Sequence, residues 1–168
     1  ALKQTGLSTD RKRALQLGDD NTFIDLGTFS ECIYNHNLEQ SLEFDLAWDL
    51  PEKLEVKDTM SGRRYAGTEL KLSVEIKADS RGQPSVHRLS QTLLSDDKNV
   101  LSVDYRQNEK GKWDIDSRDY NFVRNQGRAW ALEAPDKFYR ISDQSRARFQ
   151  NADFLLDFAL QTEAALNS

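Results

Sequence analysis

Cysteine is nearly absent from this chain of 168 residues, and its scarcity excludes more than any motif adds. Cys32 stands alone, so no intrachain disulfide can staple the fold and a cysteine-based zinc centre lacks ligands. No helix start, basic neighbour or motif marks Cys32 as a nucleophile, and it reads as a small, half-buried thiol. Histidine is almost as rare. His36 and His87 are far apart, no serine or cysteine has a nucleophile setting, and a catalytic triad has no support. His36 reads as loop between Asn35 and Asn37, and His87 as a packed or edge residue of a strand.

Other absences narrow the field further. No apolar run approaches the roughly 18 residues needed to span a bilayer, and no stretch reads as a signal segment. Gly-rich phosphate loops, paired-cysteine motifs, dinucleotide fingerprints and Asn-x-Ser/Thr acceptors are all missing, so no cofactor is expected. These features predict a soluble protein of the cytoplasm, although a periplasmic one would carry the same signature. The formal net charge of −5 and pI near 5.1 argue against a whole-surface grip on phosphate backbones or anionic lipid.

What the chain does contain is apolar residues placed with a period. At 168 residues and 38% hydrophobic content, one domain over residues 1–168 can bury roughly two thirds of its unfolded surface and needs no metal to fold. The stretch Glu69-Leu70-Lys71-Leu72-Ser73-Val74-Glu75-Ile76-Lys77 alternates strictly, so Leu70, Leu72, Val74 and Ile76 share one face of a half-buried strand. Leu42, Phe44, Leu46, Trp48 and Leu50 repeat the pattern, with Glu43, Asp45 and Asp49 opposite. Those acids require compensation, and Lys71 and Lys77 could supply it across a strand pair. Pro51 ends that strand, Leu54–Val56 can form the return, and Ser61-Gly62 turns into Arg63–Tyr65. Further strands follow at Val86–Leu94, Leu101–Tyr105, Trp113–Ile115 and Arg128–Leu132, separated by polar turns. One or two short strands are expected over residues 23–34, and a short helix over Arg11–Leu17 ending at Gly18.

The C-terminal region carries the strongest helix pattern, capped at Ser142 or Asp143 and running from Gln144 to about Leu166. Phe149, Phe154, Phe158 and Leu166 belong to an apolar arc too wide for a single contact. Either the sheet curls around the helix or a partner covers the remainder. The expected fold is therefore α+β: a curled antiparallel meander of six to eight strands packed against a long C-terminal helix, with a short N-terminal helix.

Function is far less legible. The pattern favours a non-catalytic interaction or assembly subunit that presents the helix, through Phe149, Phe154, Phe158 and Leu166, or a sheet edge, to a protein partner or to itself. One alternative is a module for a small apolar ligand or lipid, with a cavity between sheet and helix lined by Trp48, Leu72, Val74 and Phe154. Another is single-stranded nucleic-acid binding over residues 118–148, where Arg118, Arg124 and Arg128 interleave with Tyr120 and Trp130. Glu69-Leu70-Lys71 and Glu75-Ile76-Lys77 spell an acid-x-lysine element of metal-dependent hydrolysis, with Asp49 or Asp58 as a further ligand. The same spelling arises from solvation of an exposed strand face. Asp114-Ile115-Asp116-Ser117-Arg118-Asp119 fails the calcium-loop pattern at Ser117-Arg118, so no metal site is expected.

Overall fold

The computed structural model describes residues 1–127 and 131–168. Five strands, β1 (Leu42–Lys57), β2 (Arg64–Ala78), β3 (Pro84–Ser95), β4 (Lys98–Gln107) and β5 (Trp113–Asp116), form one antiparallel sheet in sequential order. The sheet is an unclosed meander, leaving β1 and β5 at its edges. Helices are α1 (Leu2–Leu7), α2 (Phe29–Cys32), α3 (Asp143–Arg146) and α4 (Phe154–Asn167). The α+β class, the meander and the terminal helices are as the sequence predicts. The strand count is lower because neighbouring segments fuse: Leu42–Leu50 joins Leu54–Val56 in β1, and Tyr65 joins the alternating stretch in β2.

The alternation fixes which way each strand faces. Leu70, Leu72, Val74 and Ile76 are buried, as are Leu89, Gln91 and Leu93 of β3 and Leu101, Val103 and Tyr105 of β4. Register places Leu46, Leu72, Gln91 and Val103 in one row across the sheet, so this inner face is continuous. Between Asp49 and Leu54 the β1–β2 register shifts, and Pro51 lies in that irregularity. Proline cannot donate to a ladder and is tolerated on an edge strand or at a bulge. Gly67 follows directly on β2, where a Cβ would meet the Leu94 carbonyl oxygen at 2.5 Å and Leu93 Cγ at 2.6 Å. Only glycine lets the two backbones approach so closely.

Three local expectations are corrected. Residues 11–17 are not helical; the N-terminal helix is α1 instead. Backbone groups in this stretch bond to distant partners: Arg11 O accepts from Lys137 N at 2.7 Å, Gln16 N donates to Thr5 Oγ1 at 2.7 Å, and Leu17 O accepts from Leu26 N at 2.9 Å. Residues 23–34 contain no strand. Glu31 Oε2 accepts from Thr28 N at 2.6 Å, a capping-box bond that starts α2, and Asn35 and His36 have φ of 56° and 53°, incompatible with a strand. The C-terminal helix is broken. Ser142 Oγ caps α3 by accepting from Ser145 N at 3.1 Å, but Asn125 N donates to Arg148 O and Gln150 N to Val123 O, both at 2.8 Å. Asn151 reinforces this pairing, accepting from Val123 N and donating to Asn121 O. Strand-like bonding at 148–150 thus interrupts the helix until Phe154. Of the expected strand at 128–132, residues 128–130 lie outside the described residues; Leu132 forms a bridge to Trp113.

A single hydrophobic core joins the inner sheet face, α4 and the segment 132–141. Phe138, Tyr139 and Ile141 insert into it, with the Phe138 ring 5.5 Å from Phe44 in an edge contact. Tyr105 donates to the Glu133 carbonyl, and its hydroxyl oxygen lies 3.1 Å from the Ser145 hydroxyl, which can donate to it, anchoring that segment to β4. A second aromatic run passes from Tyr65 through Tyr120 and Phe154 to Phe158, with centroids 6.0, 4.9 and 5.2 Å apart.

Candidate partner-binding edge

The outer sheet face is polar and its charges are segregated by register. One row reads Glu43, Glu75, Arg88, Arg106, Asp114 from β1 to β5; the next reads Asp45, Ser73, Ser90, Asp104, Asp116. Cations in the middle are engaged there. Arg88 Nε lies 2.8 Å and Arg106 Nη1 3.6 Å from Asp104, and Lys77 Nζ lies 3.5 Å from Glu75. The bond to Asp104 raises the Arg88 pKa, opposed by burial, with Glu75 and Glu43 adding smaller contributions. Short hydroxyl side chains, Ser73, Ser90 and Ser102, line two adjoining open concavities that share Arg88 and Ser90.

The acids of β1 are left over. Glu43 stands opposite Glu75 and Asp49 opposite Glu69, two like-charge pairs on one face. Such pairs destabilise a sheet by about 0.2–1 kcal/mol each. The expected compensation from Lys71 and Lys77 is not made: Lys71 faces Ala47, and Lys77 pairs with Glu75. Among the described residues, Glu43, Asp45 and Asp49 form no ion pair. The same strand is an open edge. Its backbone pairs with β2 alone, and no backbone hydrogen bond reaches Leu42–Asp49 from any other described segment. On its inner side Leu42, Phe44, Leu46 and Trp48 are only half buried, and Trp48 Nε1 has no hydrogen-bond partner among the described residues.

The residues singled out in the sequence fall elsewhere than on one surface. Phe149, Phe154 and Phe158 are 7%, 7% and 0% exposed, packed inside this chain, and only Leu166 of that set is partly open. Phe149, just before α4, packs edge-on to Phe122, 5.5 Å away. Leu72, Val74 and Phe154 are core residues, with Trp48 at the β1 margin. Tyr120 is buried, its hydroxyl donating to Asn151 O, so its face is closed to a base. Arg124 covers the Phe149 ring at 4.9 Å, whereas exposed Arg118 borders an outer-face concavity. Arg128 and Trp130 lie outside the described residues. Among the described residues no cluster of three or more acids, histidines or cysteines could hold a metal ion, and no helix is long and apolar enough to cross a membrane.

The chain matches no family model, no curated protein and no solved structure.

Proposed function

We propose that this protein is a non-catalytic binding module that takes up an extended basic segment of a protein partner as an added strand along Leu42–Asp49. The observation that carries the reading is the coincidence, on one open edge, of free backbone groups, half-buried apolar side chains and three acids without ion pairs. Backbone bonds would supply affinity and alternate side chains selectivity, as in strand addition generally. A lysine or arginine at every second position would face Glu43, Asp45 and Asp49, while the intervening apolar residues would extend the inner face beside Phe44 and Leu46. Two copies joined by this edge would set acid against acid, which favours a heterologous partner over self-assembly.

The test is calorimetric titration with an eight-residue peptide alternating lysine and valine, against the same peptide with glutamate for lysine. Binding of the basic peptide alone, weakening as salt rises and falling at least about tenfold in the Glu43→Lys, Asp45→Lys, Asp49→Lys triple variant, is the expected result. Equal binding by the triple variant, or no binding of the basic peptide at about 1 mM, refutes the reading.

A further inference from the structure

A second polar site lies at the opposite end of the chain's connectivity, where both termini meet the turn 136–140. Asp136 and Arg140 close that turn with paired backbone bonds, and between them Lys137 holds a left-handed φ of 55°. For a residue with a side chain this conformation is strained by about 1 kcal/mol or more. The strain is accompanied by burial: Lys137 is only 7% exposed. Its Nζ donates to the Gly6 carbonyl at 2.7 Å, near the end of α1, and lies 6.0 Å from the Tyr139 ring centre. That bond uses one of the three N–H donors of the ammonium group.

The group lines a pocket of about 380 Å³ together with Ser8, Thr9, Arg11, Glu163 and Asn167. The pocket's charges are opposed. Arg11 makes no ion pair among the described residues, and with Lys137 it supplies positive charge from the N-terminal segment and the turn. Glu163, which also bonds the Tyr139 hydroxyl, and the carbonyl end of α4 supply negative charge. We propose that this pocket binds a free α-amino acid, its carboxylate held between Lys137 and Arg11 and its ammonium facing Glu163 and the end of α4. A simple anion would leave Glu163 as a like charge, and a simple cation would meet Lys137 and Arg11; a zwitterion satisfies both signs of charge. The concavity is open to solvent, and its volume of about 380 Å³ has room for a ligand of this size. Burial pulls the Lys137 pKa down, with Glu163 pushing it back up and Arg11 and Arg140 lowering it; a bound carboxylate would relieve that imbalance. The site is independent of the β1 edge.

The full chain should be titrated by calorimetry with glycine, serine, leucine, aspartate and lysine, and with acetate and methylamine as half-ligands. The expected result is a dissociation constant of about 1 mM or tighter for at least one amino acid, with both half-ligands at least about tenfold weaker. Glu163→Gln and Arg11→Gln should each weaken that binding by about tenfold or more, and both leave the Lys137–Gly6 bond in place. No binding by any of the five, acetate binding as tightly as the best amino acid, or unchanged affinity in both variants would each overturn the proposal.

Discussion

Replacing Phe158 by alanine separates a helix spent on its own core from a helix held for a partner. The side chain is fully buried, its ring stands edge-on to Phe154 at 5.2 Å, and Phe154 in turn meets Tyr120 at 4.9 Å. Truncation of a buried phenylalanine costs about 3–5 kcal/mol, which includes the cavity left behind. The lost edge-to-face contact, about 0.5–1.5 kcal/mol, pushes toward the upper end. Alanine's higher helix propensity returns about half a kcal/mol. A net loss of about 4 kcal/mol is a large share of a total stability of about 5–15 kcal/mol. With a urea dependence of about 2 kcal/mol per molar, the midpoint should fall by about 2 M, followed by far-ultraviolet circular dichroism and tryptophan fluorescence together. Leu160→Ala on the same helix, where the side chain is 49% exposed, serves as the control and should move the midpoint far less. If Phe158→Ala shifts the midpoint no more than Leu160→Ala does, the helix is not packed by its own sheet and the assignment of the binding surface to the β1 edge loses its basis.

Gly67→Ala should destabilise the fold by about 1–3 kcal/mol, because the new methyl group would meet the Leu94 carbonyl and β2 and β3 would have to separate; a urea midpoint within error of the parent would refute that close approach. The buried tyrosines predict alkaline sensitivity. Burial pushes the hydroxyls of Tyr105 and Tyr139 up to about 12, against about 10 for an unfolded tyrosine. The folded state therefore keeps its protons where the unfolded state loses them, so this stability is complete below about pH 10 and is lost as pH rises through about 12, about 2–3 kcal/mol per tyrosine. Tyr139→Phe should lose less stability than the parent between pH 9 and 12, and an identical loss would contradict the assignment.

The sheet was legible because its signal is short-range and repeated. Leu70, Leu72, Val74 and Ile76 can share one environment only if the chain is extended, and the same holds for Leu42 to Leu50; nothing distant needs to be known. The candidate edge was half legible. Glu43, Asp45 and Asp49 could be read as one acidic strand face, but whether lysines answered them depended on register. Lys71 stands opposite Ala47, two residues from both Asp45 and Asp49, and that offset makes the acids available. The amino-acid pocket gave no sequence signal, since Gly6, Arg11, Lys137 and Glu163 are brought together only by the packing of both termini.

By itself, then, the order of residues determined a series of periodic strands, a polar outer face, a capped helical C-terminal region and the lack of an intrachain disulfide. Tertiary structure decided which local preferences survived. Arg11–Leu17 gave up helix for bonds to Thr5, Leu26 and Lys137, and Arg148–Gln150 gave it up for bonds to Val123 and Asn125. Each such bond pairs a backbone group as the helical bond would, so the helix holds no hydrogen-bonding advantage. Intrinsic helix preference is worth only a few tenths of a kcal/mol per residue, so contacts between distant segments prevail wherever the two compete.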